Sequence, residues 1–306
     1  MHPALLILGP TASGKSALAL ALAQRIGAMI VNADSMQVYR DLAILTARPT
    51  PEEQARTPHR LYGVIDGGER YSTGRWLADA GGVLSEARSH NQAVIIVGGT
   101  GLYFKALTEG LAQTPPVPAD IQNALIGALA TLGAPALHAQ LEARDREGAA
   151  LLSPQDGPRV TRALAVLEAT GRPLRAWQAE QAPPLLAPGA WLGVTLRPAR
   201  PTLYAAIAAR FSAMIARGAL PEAERFLARR LDPSLPLMKA HGLPWLAEHL
   251  SGALSLEDAI AGSVRDTRRY AKRQFTWMAG QTHAWAPIVA EDPADRVAAV
   301  MSLWRP

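Results

Sequence analysis

Eight residues near the start of the chain, Gly9-Pro10-Thr11-Ala12-Ser13-Gly14-Lys15-Ser16, match the pattern G-x-x-x-x-G-K-[ST]. That order of residue types makes a cradle for phosphate. Glycine lets the backbone bend close to an anion, and the amide N–H groups then point at it from the start of a helix whose dipole favours negative charge. Lys15 reaches the terminal phosphates, and the Ser16 hydroxyl is placed to ligate Mg²⁺. An acid for the chemistry follows at Asp34, and an apolar run ends in Gly98-Gly99-Thr100 where a phosphate-hydrolysing enzyme usually carries a metal-binding Asp. A carboxylate at Asp34 could hold metal-bound water, act as a general base, or cap the turn Ser35–Val38. A third feature is cationic. Arg265, Arg268, Arg269, Lys272 and Arg273 recur at helical spacing with Asp266 as the one interleaved acid, so they share a face that is either the solvated side of an amphipathic helix or a contact for a phosphate backbone or diphosphate. Tyr270 and Trp277 flank that stripe, where they could stack on bases or pack in the core. The remaining histidines show no metal-ligand spacing.

These groups need a scaffold that brings them to one place. Ala4–Leu8, Ala28–Ala33 and Ala93–Val97 read as short buried strands, with an Ala- and Leu-rich helix over Lys15–Gly27. Strands separated by helices predict a parallel α/β sheet, whose strand C-termini share one edge. Asp34, Thr100 and Lys15 then gather around one crevice. Two proline-rich stretches, Thr114–Pro118 and Ala182–Gly189, bracket a segment with helical periodicity only, before strand character returns at Ala190–Leu196. The expected division is an α/β core of 1–113 and 190–306 with a helical insertion over 114–189. The basic face falls on a helix from about Leu256 to Ala279, with Val264, Ala271, Phe275 and Met278 turned to the core.

Composition narrows the field. The chain has 306 residues and no cysteine, which excludes disulfide scaffolds, thiolate metal sites and cysteine nucleophiles. Lys and Arg exceed Asp and Glu by 31 to 26, a modest excess that permits an anionic partner without requiring one. The start lacks the basic segment and long apolar run of a signal peptide, and no stretch reads as the roughly 18 apolar residues of a membrane helix. The expectation is a cytoplasmic protein with no membrane partner.

Taken together, these motifs resemble the tRNA dimethylallyltransferase family. The residues that carry the resemblance are Gly9–Ser16, Asp34-Ser35-Met36-Gln37-Val38-Tyr39, Thr46-Ala47-Arg48-Pro49, Pro58-His59-Arg60 and Gly98-Gly99-Thr100. Further along come Arg159-Val160-Thr161-Arg162, Arg210-Phe211, Met238-Lys239-Ala240-His241-Gly242, and Thr267-Arg268-Arg269-Tyr270-Ala271-Lys272-Arg273-Gln274. The resemblance implies a P-loop NTPase-like parallel sheet with an all-helical insertion that binds the tRNA anticodon stem-loop. It implies transfer of a dimethylallyl group from dimethylallyl diphosphate to the exocyclic amine of the adenosine 3′ of the anticodon, by a monomer with Mg²⁺.

On this resemblance the loop holds a diphosphate, Ser16 holds the metal, and Asp34, Thr100 and Arg210 are catalytic, with Asp34 as the base. Asp34, Ser35, Met36, Gln37, Arg159, Arg162, Lys239, Gly242, Arg268, Lys272 and Arg273 are implied to contact tRNA, Gln37 by reading the adenine edge. Pro158, Ala165, Ala206, Leu243 and Pro244 depart from the family's usual residues, so Pro158 and Pro244 are not expected to donate side-chain hydrogen bonds. Three other classes remain in view. An adenylate isopentenyltransferase would need neither insertion nor basic helix. A phosphate-loop ATPase or kinase would need an Asp on a core strand, and a plain RNA-binding module would have no use for the loop.

Overall fold

A computed structural model describes residues 4–180 and 182–304. Two compact units separate, one of 1–108 with 185–306 and one of 109–184. The joints thus fall five residues before the expected ones, at 109 instead of 114 and at 185 instead of 190.

The larger unit begins with β1 (Ala4–Leu8), α1 (Lys15–Ile26), β2 (Met29–Asn32), α2 (Pro51–Arg56), β3 (His59–Arg60), α3 (Thr73–Ser89), β4 (Val94–Gly98) and α4 (Gly101–Glu109). The insertion carries α5 (Ala119–Arg144), α6 (Arg146–Ala150), α7 (Gly157–Thr170) and α8 (Leu174–Gln178). The larger unit resumes with β5 (Trp191–Leu196), α9 (Arg200–Ala216), α10 (Ala219–Leu227), a 3₁₀ turn Pro236–Lys239, α11 (Leu243–Leu250), α12 (Leu256–Gln281), β6 (Ala286–Ile288) and α13 (Pro293–Leu303).

The strands form one parallel sheet in the order β3-β2-β4-β1-β5-β6. The unbroken apolar runs of β1 and β4 follow from burial on both faces. In β1, Ala4, Leu6 and Leu8 enter one core cluster while Leu5 and Ile7 enter the other; in β4, Val94 and Ile96 part from Ile95 and Val97 in the same way. One cluster is completed by α1 and α13, through Leu18, Leu22 and Val300. The other takes in α3, α4 and α9 to α12, through Trp76, Phe104, Ile207, Phe226, Leu246 and Met278. Val264, Ala271 and Met278 of α12 are buried as expected, and Phe275 is half-buried beside them.

The insertion has its own core, in which α5 and α7 interlock through Leu137, Leu141, Val160 and Leu164. Ala165 is buried there, which accounts for a small apolar residue at that position. One expectation needs correction. Helix α5 contains an 18-residue window of mean hydropathy 1.4, long and apolar enough by those measures to cross a membrane. The backbone leaves helical geometry at Gly133 (φ 79, ψ 165), with Pro135 just beyond. Neither arm then reaches the ~20 residues that a bilayer core demands.

Candidate active site

The phosphate loop leaves the centre of the sheet. Gly9 N donates to Gly98 O at 3.4 Å, so the loop starts beside the end of β4. Lys15 Nζ donates to Pro10 O at 3.2 Å, across the bend of the loop. Burial is the largest influence on this amine and lowers its pKa to about 8, against a raising effect from Asp34 and a further lowering from Arg210. Three helices distant in sequence hold the loop from outside. Arg210 of α9 donates to Thr11 Oγ1, and Gln274 of α12 accepts from Thr11 N at 2.9 Å while donating to Gly99 O at 2.9 Å. Arg296 of α13 donates to Ser13 O at 2.9 Å.

Asp34 follows β2. Its backbone is fixed by the buried Asn32, which accepts from Asp34 N at 2.8 Å and donates to Asp34 O at 2.9 Å. The Trp76 indole in turn donates to Asn32 O at 2.8 Å. Asp34 Oδ1 accepts from Met36 N at 2.9 Å, so the capping role is real. It occupies one oxygen. Oδ2 accepts no hydrogen bond among the described residues. Thr100 meets the same turn: its N donates to Ala33 O at 3.1 Å and its Oγ1 accepts from Ser35 N at 3.0 Å, leaving its own proton to donate elsewhere. Gly98 makes this approach possible, since a Cβ there would collide with the Ala33 carbonyl. The Gly98-Gly99 ending of β4 is therefore a packing solution that brings Thr100 to Asp34.

A cavity of about 430 Å³ opens over the loop, lined by Lys15, Ser16 and Arg210 with Arg48, His59 and Arg217 among others. Asp34 is not in this lining; it stands within the electrostatic reach of Lys15 and Arg210. Ile30, Val97 and Ala206 give the cavity apolar wall beside its cations. Burial lowers the pKa of His59, whose Nδ1 lies 2.9 Å from Thr57 O and whose ring makes a T-shaped contact with Tyr62. No group of three His, Cys, Asp or Glu converges among the described residues. Ser16 offers an exposed hydroxyl in the cavity. That sparse donor set fits Mg²⁺, which keeps waters and takes substrate phosphate oxygens, better than zinc.

The structure sorts the remaining residues. Ser35 and Met36 are half-buried in the turn after Asp34. Gln37 is corrected: its amide NH₂ donates to both Thr46 O and Ala47 O at 2.8 Å, so no donor remains for a bidentate adenine contact. It ties the entrance segment 42–47 instead, with help from the buried Glu222, which accepts from Ile44 N and Leu45 N at 2.9 Å. Gly242 is also corrected. It is buried at φ 94, and a Cβ would lie 2.7 Å from the Phe211 ring, so it serves packing and offers tRNA no surface. Lys239 is exposed at the end of its 3₁₀ turn.

On α12, Arg268 is half-buried over the Tyr204 ring at 5.4 Å, while Lys272 and Arg273 are exposed. Arg265, Arg268, Arg269 and Lys272 line one groove with Tyr204. Tyr270 is committed to His241 at 4.4 Å and Trp277 packs over Gly101, so neither aromatic is free to stack on a base. In the insertion, Arg159 is exposed with Asp156 at 3.5 Å, and Arg162 donates to Thr114 Oγ1 at 2.8 Å. Sequence reasoning gave no role to Gln274, Arg296, Glu222 or Arg217. Only Gln274 lay in a recognised motif.

The sequence model described as IPP transferase matches residues 37–281. A tRNA dimethylallyltransferase of Rhodopseudomonas palustris (strain BisA53) is 54% identical over 290 residues, spanning 94% of this chain and 88% of that protein. The crystal structure of a full-length tRNA isopentenylpyrophosphate transferase from Bacillus halodurans superposes with TM-score 0.71 at 29% identity, covering 99% of this chain and 95% of its own. A eukaryotic dimethylallyltransferase acting on tRNA superposes with TM-score 0.83 at 25% identity, covering 99% and 78%. The sheet and its flanking helices are a P-loop NTPase-like fold.

Proposed function

The chain belongs to the IPP transferase family, and from that premise we propose how its residues carry out the transfer. The enzyme moves a dimethylallyl group to an adenosine of tRNA. In this reading the donor is dimethylallyl diphosphate, with its diphosphate in the loop Gly9–Ser16 and its five carbons against Ile30, Val97 and Ala206. The acceptor is the exocyclic amine of the adenosine 3′ of the anticodon. Stacked in the loop, that base is out of reach, so it is extruded toward Asp34.

As the allylic C–O bond breaks, charge grows on the leaving diphosphate, where Lys15 and Arg210 already stand. Ser16 would hold Mg²⁺, which would supply further charge neutralisation to the diphosphate. As the N–C bond forms, the amine becomes acidic and Asp34 Oδ2 takes its proton. Thr100 keeps its hydroxyl proton available to orient the amine or a diphosphate oxygen.

The observation that carries the reading is the divided use of Asp34. One oxygen fixes the turn and the other is uncommitted, next to two cations that stabilise a leaving anion. The exposed cations Arg159, Lys239, Lys272 and Arg273, with Arg162 and Arg268, supply phosphate contacts to the anticodon stem-loop, the insertion contributing its share. The reading takes the enzyme as a monomer, and a tRNA acceptor supports a cytoplasmic setting. The test is incubation with labelled dimethylallyl diphosphate beside tRNA or free adenylate. Label should enter tRNA alone. Label in adenylate would favour the nucleotide-modifying alternative, and label in neither would end the assignment.

A further inference from the structure

Ala12 sits in the middle of the phosphate loop at φ 64, a left-handed backbone that is costly for a residue with a Cβ. Such conformations aim successive N–H groups at one point and persist where neighbours over-determine them. The residue before it, Thr11, is held by Arg210 and Gln274. The residue after it, Ser13, is held from the last helix. Arg296 Nη1 donates to Ser13 O at 2.9 Å, and its Nε donates to Ala290 O at 2.7 Å, so one planar guanidinium ties the loop to the segment between β6 and α13. The same nitrogen lies so close to Gly14 that a Cβ there would come within 2.7 Å of it.

A trans peptide holds its C=O and N–H on opposite sides. A Ser13 carbonyl fixed toward Arg296 therefore fixes the Gly14 N–H in the opposite direction, away from α13. We propose that Arg296 is a positioning residue for the donor substrate: it sets the plane of the Ser13–Gly14 peptide and adds a cation behind the loop that receives the diphosphate. Arg296 lies 283 positions from its partner, and the contact exists because α13 packs with α1, the helix that the loop opens, through Leu18 and Val300. The inference rests on the reading that Gly9–Ser16 takes a diphosphate.

The test compares wild type, Arg296→Gln and Arg296→Lys by pyrophosphate affinity in the presence of Mg²⁺, KM for each substrate, and thermal midpoint. Arg296→Gln should raise the pyrophosphate Kd and the donor KM by about tenfold, the effect of losing one charge-assisted hydrogen bond. The tRNA KM should hold, and kcat should fall far less than the donor KM rises. Arg296→Lys keeps the charge but reaches only one carbonyl, so it should fall between. Unchanged pyrophosphate affinity, or an equal rise in both KM values, overturns the proposal. If the Gln variant does not fold, a donor KM within about twofold of wild type in the Lys variant does the same. Lys15→Ala in the same series separates the two levels. If it too leaves pyrophosphate affinity unchanged, the diphosphate reading itself is wrong; if only the Arg296 variants do, this inference alone fails.

Discussion

Arg210, Gln274 and Arg296 reach the phosphate loop from three helices and commit side-chain hydrogen bonds to loop atoms. The cations of α12 are held otherwise. Arg265 rests on the Trp245 ring at 4.9 Å, Arg273 lies over Tyr270 at 5.5 Å, Arg269 pairs with Asp266 at 3.2 Å, and Lys272 is exposed. The difference follows from what each region must do. Charge that develops on a leaving diphosphate appears at fixed positions, and donors help only if aimed there beforehand. An RNA backbone is a line of charges met through counterion release, for which cations on mobile stems suffice.

The largest effect that would break this contrast is a pH dependence at the loop alone. Burial brings Lys15 to about 8 in the free enzyme, so it is charged below that pH and loses its charge above it. Donor binding uses the charged form. The kcat/KM for the donor should therefore fall as pH rises through about 8, approaching tenfold per pH unit, while tRNA affinity changes little. A donor profile that stays flat well above that value would remove the special environment claimed for the loop.

A smaller effect sharpens the other side. Lys272→Ala and Arg273→Ala should each weaken tRNA binding severalfold and reduce the slope of log affinity against log salt by about 0.7 to 0.9, with donor KM unchanged. An unaltered salt slope in both variants would make this face a solvated one. A raised donor KM instead would mean that α12 acts on the loop through its neighbour Gln274.

The same contrast governs what could be read from the sequence. Gly9–Ser16, Asp34 and the basic spacing of α12 are local patterns, and β1, β2, β4 and β5 announce themselves as apolar runs buried on both faces. Strands β3 and β6 did not, because they span only His59–Arg60 and Ala286–Ile288 at the two edges of the sheet. Arg210 and Gln274 lay in recognised motifs, but nothing local marked them, or Arg296, as clamps on the loop. Gln274 and Arg296 stand 263 and 283 positions from their partners, and an isolated Gln or Arg on a helix looks like any solvated residue. Gln37 and Gly242 show the reverse error: residues in a recognised motif whose hydrogen bonds or burial serve the frame of the site.

The central claim is that Asp34 caps its turn with one oxygen and accepts the amine proton with the other. Asp34→Asn tests it directly, because the amide keeps an oxygen for Met36 N and removes the base. With both substrates bound, the single-turnover transfer rate should fall by about 10²- to 10⁴-fold while affinities for donor and tRNA stay within a few-fold. A rate close to wild type would leave Asp34 as a cap alone and contradict the account.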